Sequence, residues 1–423
     1  MNTPRSAAKP FVISKRTVWD AYKKVKANQG AAGVDGESIV AFERNLQGNL
    51  YRIWNRMSSG SYFPPPVRAV EISKRGTAGV RMLGVPTVAD RVAQTVACLY
   101  LEPQVEPLFH PDSYGYRPGR SALDAVATCR QRSWKFDWVI DLDLHAFFDT
   151  LDHDLALRAV AKHADQRWIL LYVERWLKAP LQRVDGTLLQ RDRGTPQGSA
   201  ISPLLANLFL HYAFDLWMAR EFPGCPFERY ADDGVIHCRG EAEAHMILAA
   251  LGKRMAQVGL ELHPDKTRIV YCKDTHRTSS FEHEQFTFLG YTFRPRSARS
   301  RHGLFTSFSP AVSNDAAQRL RTEIKRWRLH LRSDRSLEDL ARWVNPIVRG
   351  WIQYYGRFTP HELHPVLRQL NEYLRRWAKR KFKRLRHSPW RQWTWLHGVG
   401  CRQPNLFAHW KLVGTDGRMM GAR

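Results

Sequence analysis

Cysteine is scarce in this sequence and never closely paired. The six cysteines (Cys98, Cys129, Cys225, Cys238, Cys272 and Cys401) include no C-x-x-C, which excludes a zinc ribbon and a disulfide framework. No run approaches the ~18 consecutive apolar residues of a membrane span, so no membrane partner is expected. Residues 1–15 lack the continuous apolar core of a signal peptide. The expected location is therefore cytoplasmic, in association with the nucleoid or a ribonucleoprotein. No internal repeat points to a solenoid. Acidic residues are in deficit as well: 40 Asp+Glu face 65 Lys+Arg, a net charge of +25. An excess of that size is explained by a polyanionic partner, whose condensed counterions are released when phosphates are neutralised.

What is present is a chain of 423 residues, 43% of them hydrophobic, enough for about two or three globular domains. The positive charge is uneven. Residues 301–423 hold 25 Lys+Arg against 8 Asp+Glu, and 8 of the 15 Trp. Taken singly, such Trp residues fill helix cores; it is their combination with arginine that favours RNA, where rings and guanidinium groups stack on unpaired bases. Within residues 375–386, eight of twelve are basic, among them Arg375, Arg376, Lys379, Arg380, Lys381, Lys383 and Arg384. Like charges at this spacing repel, and a bound nucleic acid relieves the repulsion.

Hydrophobic periodicity divides the chain into regions. The first, residues 1–138, mixes amphipathic helices with a Gly-rich stretch (residues 29–36) and a hairpin over residues 67–72 and 81–85 that turns at Lys74-Arg75-Gly76. Residues 139–296 alternate short strands with helices, including a strand over 286–293 and an acidic turn between strands at 227–230 and 235–238. After about Arg294 the pattern reads as all-helical: Leu320, Ile324, Trp327 and Leu331 share one face, and Ser336 with Asp339 resembles a capping box. A helical domain is expected over 297–380 and a basic DNA- or RNA-binding tail over 381–423. The fold class read from this order is α+β.

The chemistry sits in two acidic elements. Trp138-Val-Ile-Asp-Leu-Asp-Leu-His-Ala-Phe-Phe-Asp149 sets acids at the end of an apolar strand, with Asp141 and Asp143 on the same face by period-two alternation. Alternation cannot choose between them. Acids with such apolar flanks are costly unless paired or bound to metal. Asp232 and Asp233 lie in Tyr230-Ala-Asp-Asp-Gly234, a hairpin signal that alone reads more often as a solvated turn than as a metal site. Two such elements in one small sheet fit phosphoryl transfer, which uses hard oxygen ligands for two divalent ions.

Tyr230-Ala-Asp-Asp233 resembles the Y-x-D-D box of reverse transcriptases, and Asp143-Leu-His-Ala-Phe-Phe-Asp149 resembles their first catalytic motif. Between them, Arg193-Gly-Thr-Pro-Gln-Gly-Ser-Ala-Ile-Ser-Pro-Leu-Leu-Ala-Asn207 is similar to the segment that bacterial group II intron reverse transcriptases carry at this place. Leu83-Gly-Val-Pro-Thr87 and Ser113-Tyr-Gly-Tyr-Arg-Pro-Gly-Arg-Ser121 match upstream. His263-Pro-Asp-Lys-Thr267 and Phe288-Leu-Gly-Tyr-Thr-Phe293 match downstream. Leu340-Ala-Arg-Trp-Val-Asn-Pro-Ile-Val-Arg-Gly-Trp-Ile-Gln-Tyr-Tyr-Gly356 is similar to the maturase thumb, and Pro404-Asn-Leu-Phe-Ala-His-Trp410 to the ending of members without a nuclease domain.

The resemblance implies a right-hand polymerase with fingers, palm and helical thumb. It makes Asp143, Asp232 and Asp233 ligands of two Mg2+ ions, for which Mn2+ can substitute, with the Leu144 carbonyl a further ligand. Phe148 becomes the ring that blocks a 2′-hydroxyl, and Lys74 and Arg81 the fingers residues on the dNTP triphosphate. Gln197 lies against the nascent pair, and Lys266 is a basic palm position. Asp141 and Asp149 are expected to support the site, and His145 to be a surface histidine. The implied partners are group II intron RNA, an RNA template with DNA primer, dNTPs and target DNA. Ser199 stands where many relatives have Gly, altering backbone freedom beside the template. The chain ends at Arg423 without an H-N-H nuclease or its zinc-binding cysteines, so another primer source, such as a nascent strand at a replication fork, is expected. Rival readings are a splicing-only maturase, against which the intact aspartates argue, and a reverse transcriptase recruited to phage defence or DNA repair. A nucleotide cyclase is excluded by the lack of a G-G-D-E-F-like turn.

Overall fold

The computed structural model describes residues 9–73, 80–301 and 303–415, which form two compact units. Unit 1 comprises residues 1–121, 142–236 and 242–267, and unit 2 comprises residues 122–141, 237–241 and 268–423. Helices and small sheets are mixed in both, as an α+β fold requires.

In unit 1, the helix Lys15–Asn28 starts where the Ser14 hydroxyl accepts from the Arg16 amide, and it buries Val18, Ala21, Tyr22 and Val25 along one face. The helix Val88–Val105, capped by Thr87, is buried nearly all round through Val92, Ala93, Val96, Ala97 and Leu101. A buried carboxylate here needs partners. Asp90 accepts from Tyr62 Oη (2.7 Å), Trp176 Nε1 (2.8 Å) and Gln94 Nε2 (2.9 Å). Burial still lifts its carboxyl to about 6. The expected hairpin is present: Val67–Ser73 pairs antiparallel with Val80–Val85, with Ile72 opposite Arg81. Its turn, with Lys74, lies outside the described residues. The helical stretch after Ile201 is interrupted. Ser202–Leu210 passes into a π-helix at His211–Asp215 and then Leu216–Glu221. Apolar spacing carries no sign of this, because a single wide turn shifts the apolar face by only one residue.

Unit 2 departs from the all-helical expectation. The stretch 286–293 is two strands, Phe286–Phe288 and the start of Tyr291–Ser300, joined by a two-residue turn at Leu289 (φ 52°) and Gly290 (φ 79°). Both residues are left-handed, as the tight hairpin turn that follows strand twist requires. The second strand continues antiparallel to Gly303–Val312, in register from Tyr291–Val312 to Ser300–Gly303. Its distal half is solvent-facing and Arg-rich, so it shows no apolar alternation to read. The stacked Phe286 and Phe293 rings, 4.7 Å apart, anchor the proximal half.

The long helices that follow among the described residues are Asn314–Trp327, Leu337–Tyr355, His364–Lys381 and Pro389–Arg402, with a short one at Trp410–Val413. Leu320, Ile324 and Trp327 are buried as the spacing predicts, but Arg328 (φ 50°) ends the helix. Leu329 then enters the core and Leu331 is left 43% exposed. The Ser336–Asp339 capping box forms. Trp327 and Trp351 stack at 5.3 Å, and Trp377 is buried; burying one such side chain contributes roughly 1.5–3 kcal/mol. Two motifs of this region lock the fold internally. Asn345 donates to Leu406 O and accepts from the Ala408 amide. Asn371 Oδ1 meets both His409 Nε2 (2.7 Å) and Trp410 Nε1 (2.9 Å). Burial drives the His409 imidazole down to about 3, so it is neutral.

Candidate active site and nucleic-acid surface

Asp143 is the last residue of the strand Trp138–Asp143. The segment 263–267 wraps its backbone: the His263 amide and the Thr267 hydroxyl both donate to Asp143 O, at 2.8 and 3.1 Å. Lys266 Nζ reaches Asp143 Oδ2 at 2.6 Å. The sequence placed Lys266 only as a basic palm position; its direct ion pair with Asp143 is visible only in three dimensions, since 123 residues separate them. Asp141 instead takes Arg268 at 3.6 Å, within unit 2, where the two are paired across neighbouring strands. Fold thus separates two acids that alternation left equivalent.

The second acidic element is a hairpin of Phe227–Tyr230 with Asp233–Cys238. Tyr230 pairs with Asp233, so the turn is Ala231-Asp232, and Asp233 already belongs to the strand. Ala231 is left-handed, φ 58°, a conformation costing roughly 1 kcal/mol for a residue with a Cβ. The strand of Asp233 neighbours that of Asp143 in the sheet. Gly234 permits their approach: a Cβ there would lie 3.1 Å from Leu142 Cδ2. Asp143 and Asp233 are each one residue from that contact. Leu144 continues past the strand, bridged to Leu262 with its side chain buried. His145 is exposed beside His263, ring centroids 5.7 Å apart.

A cavity of about 210 Å³ in unit 1 is lined by Gly84, Phe148, Asp149, Arg191, Arg193 and Gln197, with other residues. Phe148 and Gln197, expected at the nucleotide, thus share one wall system. Phe148 is 7% exposed, and its carbonyl accepts from the Thr195 amide at 2.7 Å. The Gly84 amide donates to Gln197 O at 3.0 Å. Gly198 (φ 119°) has no room for a Cβ, which would meet Gly84 O at 2.7 Å. Ser199 follows Gly198 directly. It is not left-handed, and its hydroxyl donates to Gln94 Oε1 at 2.6 Å, adding an anchor. Arg191 stands out only in the folded chain: its Nε and Nη2 donate to Ala179 O and Trp176 O, and burial lowers its guanidinium to about 10. Arg81 lies in the strand Val80–Val85.

The profile of the family described as reverse transcriptase (RNA-dependent DNA polymerase) matches residues 72–293, more than half of the chain. This span includes both acidic elements and the cavity. The chain belongs to the reverse transcriptases. A second profile, the group II intron maturase-specific domain, matches residues 317–395, and places the chain among the group II intron-encoded members with their right-hand polymerase fold. Protein YkfC of Escherichia coli K12 is 30% identical over 311 residues, covering 64% of this chain and 77% of that protein. Group II intron-encoded protein LtrA of Lactococcus lactis subsp. cremoris is 28% identical over 277 residues, 64% of this chain but 45% of LtrA. A putative COX1/OXI3 intron 2 protein of Saccharomyces cerevisiae is 25% identical over 266 residues, covering 63% and 30% respectively. The chain thus spans less than half the length of the latter two. No helix among the described residues is long and apolar enough to cross a membrane.

The basic stretch of this reverse transcriptase, at the end of the helix His364–Lys381, divides by partner. Arg375 is bound to Glu372 (Nε–Oε2 2.9 Å) and to Gln392, with its side chain 16% exposed. Lys381 Nζ donates to Ser333 O and Arg335 O, at 3.0 and 2.6 Å. Arg376 pairs with Glu372 but stays half exposed. Lys379, Arg380, Lys383 and Arg384 are exposed. Replacing these last four by Gln is expected to weaken RNA binding and flatten its salt dependence. The slope in a log–log titration should fall by about 0.7 per lost contact to a single strand, about 3 in all. An unchanged slope would clear this surface of phosphate contacts. Arg375→Ala is expected to register in melting temperature instead.

Proposed function

We propose that this protein is an RNA-directed DNA polymerase that also binds group II intron RNA and assists its splicing and mobility. The observation that carries the polymerase reading is the convergence of Asp143 with the Asp232–Asp233 hairpin on neighbouring strands. Three carboxylates at adjoining strand ends are the hard oxygen donors that divalent cations select, and Asp143 already accepts a cationic partner in Lys266. These residues fit two Mg2+ ions, with Mn2+ as substitute: Asp143, Asp232 and Asp233 would hold them, with the Leu144 carbonyl. When bound, the ions supply charge for the reacting hydroxyl and the triphosphate.

The chain's own residues do the rest by position. Phe148, rigid because buried and tied through its carbonyl to Thr195, stands at the sugar and excludes a 2′-hydroxyl. Gln197, fixed by Gly84, backs the nascent pair. Lys74 and Arg81 hold the triphosphate by charge. Lys266 orients the Asp143 carboxylate. Intron RNA is assigned to the maturase domain, whose exposed cations suit a phosphate backbone.

Purified protein given an RNA template, an annealed DNA primer, dNTPs and Mg2+ is expected to extend the primer, and to stop with EDTA. Failure to extend any primer on RNA would remove the polymerase reading. Phe148→Ala is expected to raise rNTP incorporation relative to dNTP by roughly a hundredfold. Unchanged sugar selectivity in competition assays would take Phe148 out of this role.

A further inference from the structure

Directly behind the turn that carries Asp232 lies a guanidinium with no access to solvent. Arg229 is 2% exposed and Asp215, its ion-pair partner, 0%. All five N–H donors of Arg229 are used. Nε and Nη2 grip the two Asp215 oxygens at 2.7 and 2.6 Å. Nη2 also donates to Ser113 Oγ at 2.9 Å, while Nη1 donates to Asn207 Oδ1 and Ala231 O, each at 3.1 Å. The last of these bonds holds the carbonyl of the left-handed turn residue, whose peptide leads into Asp232.

The surroundings hold Arg229 in turn. Its amide donates to Asp112 O (2.9 Å), and its carbonyl accepts from the Tyr114 amide (2.8 Å). Asp215 ends the π-helix His211–Asp215. Arg254 binds two carbonyls of this wider turn: Nε donates to Ala213 O at 3.0 Å and Nη2 to Tyr212 O at 3.1 Å. A fully buried ion pair is a poor source of stability, because desolvation offsets its attraction and an apolar pair of similar volume packs as well. Stability therefore does not explain this pair. Its bond to Ala231 O does.

We propose that Arg229, clamped by Asp215, is a positioning residue that holds the Ala231–Asp232 peptide in its left-handed turn and so sets where the Asp232 and Asp233 carboxylates stand for a divalent cation. The proposal rests on the assignment of those carboxylates as metal ligands. Arg229 touches neither metal nor substrate; it acts through the turn.

The test uses the full chain and Mn2+ alone as probe, its binding followed by electron paramagnetic resonance, beside steady-state primer extension and thermal melting. The double variant Arg229→Met/Asp215→Val nearly keeps the summed volume and removes the donor to Ala231 O. It is expected to melt several degrees below wild type, because Ser113 Oγ, Asn207 Oδ1 and Ala231 O lose their donor, to bind Mn2+ about tenfold more weakly, and to lose ten- to a hundredfold in kcat with KM for dNTP within about twofold. Arg229→Lys keeps the charge beside Asp215 but cannot fork to every acceptor, and is expected to lose part of the Mn2+ affinity. Adding Ala231→Gly to it should recover some, because glycine adopts the left-handed turn unaided. Wild-type Mn2+ affinity and kcat in the double variant, or in Arg229→Lys should the double variant not fold, would overturn the proposal. Asp232→Asn separates the two levels. If it weakens Mn2+ binding while the Arg229 variants do not, positioning fails and the metal assignment stands. If it leaves Mn2+ binding unchanged, both fall.

Discussion

Asp232→Ala is expected to reduce primer extension on an RNA template by about three orders of magnitude, while affinity for RNA and melting temperature stay close to wild type. The size follows from what a metal ligand supplies: charge stabilisation of several kcal/mol in the transition state, at 1.36 kcal/mol per tenfold. The selectivity follows from place. Asp232 is a partly exposed residue of a two-residue turn, so its removal leaves no cavity. The strands on either side keep their ladder, from Phe227–Ile236 to Tyr230–Asp233. Single-turnover extension, filter binding of RNA and a thermal melt on the same preparation separate these quantities. Extension comparable to wild type would remove Asp232 from the metal site.

Gly115→Ala is expected to have the second largest effect, and by a different route. A Cβ at Gly115 would lie 2.4 Å from Ala231 N and 3.0 Å from Tyr230 C. Both are backbone atoms, so no side chain can swing away. Either the 113–117 segment or the turn must move, and Gly115 O is itself held by Asn207 Nδ2 at 2.7 Å. Overpacking of this kind costs roughly 1–3 kcal/mol, read as a fall of several degrees in melting temperature. Because the displaced atoms begin the turn that carries Asp232, a loss of about a hundredfold or more in extension is expected with it. Gly252→Ala is the matched control. It lies in the helix Glu241–Gln257 with nothing within 4 Å of a Cβ, and helix propensity makes the change stabilising by about 0.5–1 kcal/mol. Wild-type extension by Gly115→Ala would show that the turn tolerates displacement and that its geometry does not limit the reaction.

Much of the site was legible because its motifs are local. The acids at the end of an apolar strand, the Y-x-D-D turn and the hairpin from Val67 to Val85 are each contained in fewer than twenty residues, where strand period and turn chemistry act directly. The Arg-rich hairpin from Tyr291 to Val312 was not legible, because its outer half buries no apolar side chain and leaves no apolar period. The basic stretch was legible as charge but not as function. Only the folded helix shows that Arg375 and Lys381 are taken up by Glu372, Gln392 and backbone carbonyls, whereas Lys379, Arg380, Lys383 and Arg384 face water.

By itself, the sequence determined the class of partner, through net charge and its unevenness, and the class of chemistry, through ordered motifs that each carry their own local geometry. It also set out the acids that the chemistry draws on, without ranking Asp141 against Asp143 except by resemblance. Tertiary structure alone decided what depends on atoms distant in the chain. It gave Asp143 to Lys266 and Asp141 to Arg268, turned Ser199 into an anchor for Gln94, and put Arg229 behind the Ala231–Asp232 turn. The physical reason is the same in each case. A hydrogen bond or ion pair is set by a few ångströms of separation in space, and neither composition nor periodicity encodes which two segments the fold will bring that close.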